Sequence, residues 1–119
     1  MKKFLAIYLG SMHDDAFKKW QAMPEKERKE VEQKGMAAWM KWGTDHQTAI
    51  LDNGSPLGKT KKIDKGGVSD TKNALSGWAV VQAESHDEAA KLFENHPHFT
   101  VFPGESIEIM ECLPMPKME

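Results

Sequence analysis

Residues 3–9, Lys-Phe-Leu-Ala-Ile-Tyr-Leu, carry apolar side chains on both faces of an extended chain. Phe4, Ala6 and Tyr8 fall on one side and Leu5, Ile7 and Leu9 on the other, the pattern of a strand in the middle of a sheet. A short helix is predicted from Asp14 to Ala22. Pro24, tolerated in a first helical turn, then opens a longer helical stretch with Glu25 and Glu27 at its positive end. Val31, Gly35, Ala38, Trp39 and Trp42 recur there at helical spacing. Gly43 interrupts the stretch, Thr44-Asp45-His46-Gln47 reads as a capping box that restarts it, and Asn53-Gly54 with Pro56 ends it. Residues 24–53 are therefore expected as one bent helix or two collinear pieces.

A second strand is predicted over 58–63, Lys-rich as suits a sheet edge that must not pair with strangers. The stretch from Gly66-Gly67 to Ser76 reads as a loop. Residues 77–84 form the clearest strand, and Ser85-His86-Asp87-Glu88 is a capping box opening a short helix with Ala89, Leu92 and Phe93 on one face. Asn95 and Pro97 close that helix. A last strand is expected over 106–113, with Ile107, Ile109 and Leu113 inward and Ser106 and Glu108 outward.

The order β-α(α)-β-β-α-β predicts an α+β, ferredoxin-like fold: a four-stranded antiparallel sheet with helices on one face and the first and third strands central. Two helices cover only one face of such a sheet, so the other leaves an apolar patch of a size that marks an interface. A homodimer through the open sheet face is the expected solution.

Composition adds boundaries. The chain has 119 residues and a net charge of −2, with 29% charged and 39% hydrophobic residues, which fits one globular domain over 1–119. The single cysteine, Cys112, excludes an internal disulfide and a multi-cysteine zinc site, and reads as a small buried hydrophobe. The apolar stretch after Lys2-Lys3 is six residues long and too short for an export signal, so a cytoplasmic location is expected. No stretch approaches the roughly 18 apolar residues that span a bilayer. Charge is uneven: residues 54–76 sum to +3 and residues 77–119 to −6. The basic run Lys59-Thr60-Lys61-Lys62 has no interleaved aromatics and the pI is near 6.2, so a solvated edge is favoured over nucleic-acid contact.

His96-Pro97-His98 is the sharpest local chemical feature. Proline fixes the backbone between two imidazoles, so either ring could serve as a general acid or base near neutral pH. Equally, His96 could cap a helix end while His98 packs. Alternating histidines without a Cys or carboxylate at matching spacing do not make a metal site. Asp70 could orient one of these histidines as the second member of a dyad, or cap the turn that follows it. Trp39, Trp42 and His46 share a face if helix geometry persists past Gly43, forming either a pocket wall for a planar ligand or simple core. Trp78 opens the best strand as core or pocket floor, and Lys59 and Lys61 could meet an anionic ligand or simply solvate an edge. Met36 and Met40, four apart on the long helix, read as core. Met110, Met115 and Met118 crowd the acidic end, where they could join a dimer interface. There is no phosphate-binding glycine loop and no nucleophile elbow.

Residues 77–90 (Gly-Trp-Ala-Val-Val-Gln-Ala-Glu-Ser-His-Asp-Glu-Ala-Ala), then Asn95-His96-Pro97-His98-Phe99, then Gly104-Glu105-Ser106-Ile107-Glu108-Ile109, resemble the YCII-related family, which includes the "DGPF" domains. The Asp-Gly-Pro-Phe motif itself is replaced by Lys65-Gly66-Gly67-Val68. The resemblance implies a ferredoxin-like fold dimerising as an α/β barrel, with a helix–sheet pocket holding a His–Asp pair, and relatives acting on chlorinated aromatic rings. The expectation is a small dimeric protein that binds a planar or anionic organic molecule. His96 or His98 with Asp70 would give it lyase- or isomerase-type proton transfer. The alternative is a non-catalytic ligand-binding or interaction module on the same fold. No cofactor is implied.

Overall fold

A computed structural model describes residues 1–10 and 15–116. The elements run β1 (Lys2–Leu9), α1 (Asp15–Ala22), α2 (Glu25–Asp45), β2 (Ile50–Asp52), β3 (Thr60–Asp64), β4 (Gly67–Thr71), β5 (Leu75–Ala83), α3 (His86–Lys91), α4 (Pro97–Thr100) and β6 (Ser106–Glu111). Four strands make an antiparallel sheet in the order β2-β5-β1-β6, so the two apolar strands β1 and β5 are central and the fold is the expected ferredoxin-like α+β arrangement.

Alternation along β1 and β5 decides which face is covered. Phe4, Ala6 and Tyr8 of β1 and Ala79, Val81 and Ala83 of β5 are buried, with Trp42, Ala89 and Phe93 of the helical layer above them. Leu5 pairs with Val80 and Met110, and Ile7 with Trp78 and Glu108; these residues form the opposite face, outside the core cluster that the described helices pack against. The molecule is accordingly a thin slab, 60 × 43 × 18 Å.

The second edge strand is not the one expected. β2 is three residues long and lies inside the stretch read as the end of the long helix. α2 continues through Gly43, ends at Asp45 and does not restart; the His46 backbone N–H closes it on the Trp42 carbonyl. Gly54 then turns the chain at φ 65°, against the Trp78 backbone where a Cβ would collide. The lysine-rich run is a strand, but it pairs with β4, in the stretch expected as a loop, to make a separate two-stranded arm. Asp64 accepts from the Gly66 backbone N–H and stabilises the arm's tight turn.

Other expectations are met. Ser85 caps α3 by accepting from the Glu88 N–H at 3.1 Å, and Asn95 terminates the following turn at φ 58°. Ile107 and Ile109 pack against the core, whereas Leu113 lies beyond β6 and is exposed. Cys112 is exposed rather than buried, because the last turn of inward alternation ends with β6. Met118 lies outside the described residues. Among the described residues no helix is long and apolar enough to cross a membrane.

Candidate functional site

The covered face of the sheet does not close completely at its Leu9 end. There Tyr8 and Gly77 from the central strands, Met36, Trp39 and Met40 from α2, Ser55-Pro56 after β2, and Phe102-Pro103-Gly104 after α4 enclose a cleft of about 570 Å³. None of the residues lining it carries a formal charge apart from the titratable His98. Gly35 lets α2 approach the cleft-lining Phe102 closely: a Cβ there would meet the tip of the Phe102 ring at 2.5 Å.

His98 is the chemical group of this cleft. α4 begins with Pro97, and His96 caps it by accepting the His98 backbone N–H at Nδ1, 3.0 Å away. That cap aims the His98 ring at the end of β1, where Nε2 lies 2.8 Å from the Leu9 carbonyl oxygen. A carbonyl only accepts, so Nε2 carries the proton and, in the neutral ring, Nδ1 holds the lone pair. The Leu9 carbonyl also accepts from the Glu105 N–H at 2.9 Å, and the Gly104 N–H donates to the His98 carbonyl at the same distance. A side chain at Gly104 would run into the His98 ring and carbonyl. The ring is thus fixed from above and below.

His96 has the opposite environment. It is fully buried, with its ring 4.4 Å from Trp39 and 4.6 Å from Trp42 in edge-on contacts and 5.3 Å from Tyr8. Burial, reinforced by the nearby charges of His98 and His46 in their protonated forms, pushes its pKa down to about 3. With Nδ1 accepting, the proton sits on Nε2, which has no hydrogen-bond partner. His96 is a neutral structural ring enclosed by indoles and cannot exchange protons with a ligand in the cleft. It is an N-cap, neither the helix C-cap nor the base that the sequence offered.

The remaining expected residues separate. Trp39 stands in the cleft wall, and Trp78 borders it beside Gly54. Trp42, three residues along α2, turns into the core and donates its indole N–H to the Leu92 carbonyl at 2.7 Å. His46 lies against Trp42 at the end of α2, 5.5 Å between ring centres with the rings tilted by 54°, and does not line the cleft. Asp70 is far from any dyad: its side chain is 83% exposed on β4 and pairs with Lys61 across the arm. Lys59 is exposed at the foot of the arm and does not line the cleft either. Met36 and Met40 are 58% and 70% exposed at the rim, not core, because the helix face they share looks over the cleft mouth.

Tyr8 and Phe102-Pro103 were missed. Tyr8 contacts Trp39, Phe93, His96 and His98, and burial pushes its phenol well above the usual range, so it stays a neutral hydroxyl. Its place beside the histidines depends on an antiparallel pairing that no local pattern displays. The one available signal was Gly104, a glycine without a turn to explain it. Among the described residues no group of three or more His, Cys, Asp or Glu side chains is placed to hold a metal ion.

A family model for the YCII-related domain matches residues 19–113, which include both histidines and the whole run from α2 to β6. The chain belongs to the YCII-related family. No curated protein matches it. Among solved structures, this YCII-related chain is similar to a 5-chloro-2-hydroxyhydroquinone dehydrochlorinase from Burkholderia phenoliruptrix AC1100, determined in complex with 2,5-dihydroxybenzoquinone. The TM-score is 0.51 at 19% identity, over 91% of this chain and 90% of that one. At that identity the likeness establishes the fold.

Proposed function

We propose that this YCII-related protein binds a small planar organic molecule in the cleft between α2 and the sheet, and that His98 accepts and returns a proton there. The observation that carries the reading is the fixed His98 tautomer. Nε2 is committed to the Leu9 carbonyl, so Nδ1 is the ring nitrogen that keeps a lone pair, and His98 lines an apolar, ring-walled cleft. One positioned imidazole suffices for an elimination or isomerisation of lyase or isomerase type, in which Nδ1 takes a proton from carbon or hydroxyl and gives it back as bonds rearrange. The ring-walled lining favours a flat organic molecule, and the neutral phenol Tyr8 lies with its ring against His98. Residues 1–119 act as one domain, in the cytoplasm, and pair with a second copy through the open face that carries Leu5, Ile7, Val80 and Met110.

A second reading, a binding module without turnover, is favoured by one observation. The ring hydrogen-bonds to a backbone carbonyl and not to a carboxylate, so nothing charged stabilises an imidazolium. Titration with hydroquinone and with 2,5-dihydroxybenzoquinone, read by tryptophan fluorescence, tests binding; saturable quenching that weakens at least about tenfold in Trp39→Ala is expected. Absence of saturable quenching by either probe overturns both readings. Chloride release from a chlorinated hydroxyhydroquinone, lost in His98→Gln, supports the catalytic one; binding with no release leaves the module.

A further inference from the structure

Phe17 and Trp20 are the large apolar side chains of α1, and neither joins the core of the sheet. Both are half-buried instead, on one helical face, where with Glu32 and Met36 of α2 and Phe102-Pro103 after α4 they line a second cavity of about 390 Å³. Phe17, Met36, Phe102 and Pro103 border both this annex and the main cleft, whereas Trp20 and Glu32 belong to the annex alone. The Trp20 and Phe102 rings lie 5.9 Å apart and are inclined by 55°, so they do not stack.

Glu32 is the one charged residue in this ring-lined space, and no cation among the described residues pairs with it. Its helical neighbours are committed elsewhere. The Arg28 guanidinium, one turn earlier, donates to the Gln21 carbonyl at 3.4 Å, and Lys29 pairs with Glu25 at 3.1 Å. A carboxylate set among three aromatic rings without a counter-ion is a place for a positive charge.

We propose that the annex binds an alkylated ammonium group, of the trimethylammonium kind, between the rings and the Glu32 carboxylate. Aromatic faces attract a cation through the negative side of their quadrupole, and the carboxylate adds to that attraction. An anion would be repelled by Glu32. A primary ammonium has three hydrogens to satisfy, and among the lining side chains Glu32 is the one strong acceptor, since an indole N–H only donates. A methylated cation needs no acceptor and lays its methyl groups on Met36, Pro103 and the rings. Trp20 and Glu32 lie outside the main cleft, so this site is independent of whether His98 handles a proton there.

Choline and its uncharged carbon isostere, 3,3-dimethylbutan-1-ol, test the site at constant ionic strength. The readout is the Trp20 indole N–H signal in ¹⁵N spectra of the full chain, assigned by its loss in Trp20→Phe. Choline should shift that signal saturably, the isostere should not, and Glu32→Gln should bind choline about three- to fivefold more weakly than wild type. Absence of a saturable shift, an equal response to the isostere, or unchanged affinity in Glu32→Gln overturns the assignment. The isostere comparison needs only the wild-type chain and decides even where the variant folds poorly.

Discussion

The corner at residues 95–104 and the arm at residues 60–71 are both short excursions from the sheet, yet one is held from every side and the other almost only by itself. In the corner, His96 is enclosed by Trp39, Trp42 and Tyr8, Pro97 is buried, and the Thr100 hydroxyl donates back to the His96 carbonyl at 3.0 Å. In the arm, ion pairs such as Lys61–Asp70 and Lys62–Asp64 lie in water. An imidazole in the first setting is neutral and fixed in one tautomer. A carboxylate in the second is screened and free to change partners. Position in the packing, more than residue type, decides which polar group can do chemistry.

The contrast can be broken most forcefully at His96. His96→Ala removes a ring from a closed cluster and leaves a cavity, so unfolding in urea should show a loss of about 3 kcal/mol. A somewhat smaller effect comes from pH. The pKa of His96 is near 3 in the folded chain and about 6.5 when unfolded, so the unfolded chain takes the proton first. Its contribution is complete above about pH 6.5 and declines as pH falls toward 3, costing about 2 kcal/mol between pH 7 and pH 5. His96→Phe, which keeps a ring, should flatten that part of the stability-against-pH curve; an unchanged slope would show that His96 is not the group responsible. At the weak end, Asp70→Asn should alter stability by less than about 0.5 kcal/mol and leave quinone binding as it was. A marked loss of binding there would restore Asp70 to the site.

These differences also mark what the chain's pattern could disclose. Two-sided apolar strands, the Ser85 capping box and the order of elements determine the sheet, since each depends on neighbours in sequence. β2 was hidden because three residues are too few for a period, and Thr44-Asp45-His46-Gln47 resembles a helix start where the chain is in fact leaving one. The arm's first strand was legible, but its partner was not, because Gly66-Gly67 suits a loop as well as a hairpin turn. At the site, the local motif His96-Pro97-His98 was visible and its division of labour was not. Which ring meets the indoles and which the Leu9 carbonyl depends on contacts 50 to 90 residues apart in sequence, such as that between His98 and Leu9. The Trp39–Trp42 stripe was split for the same reason: three residues are nearly a full turn, but the small angular offset sends one indole to the cleft and the other to Leu92.

The anchor of His98 has a consequence for how such a site withstands mutation. A carboxylate partner is lost with a single base change, whereas the Leu9 carbonyl belongs to the main chain and every amino acid at position 9 supplies one. The tautomer of His98 is inherited with the path of β1, and only a change that moves the end of that strand, or fills the space at Gly104, can take it away.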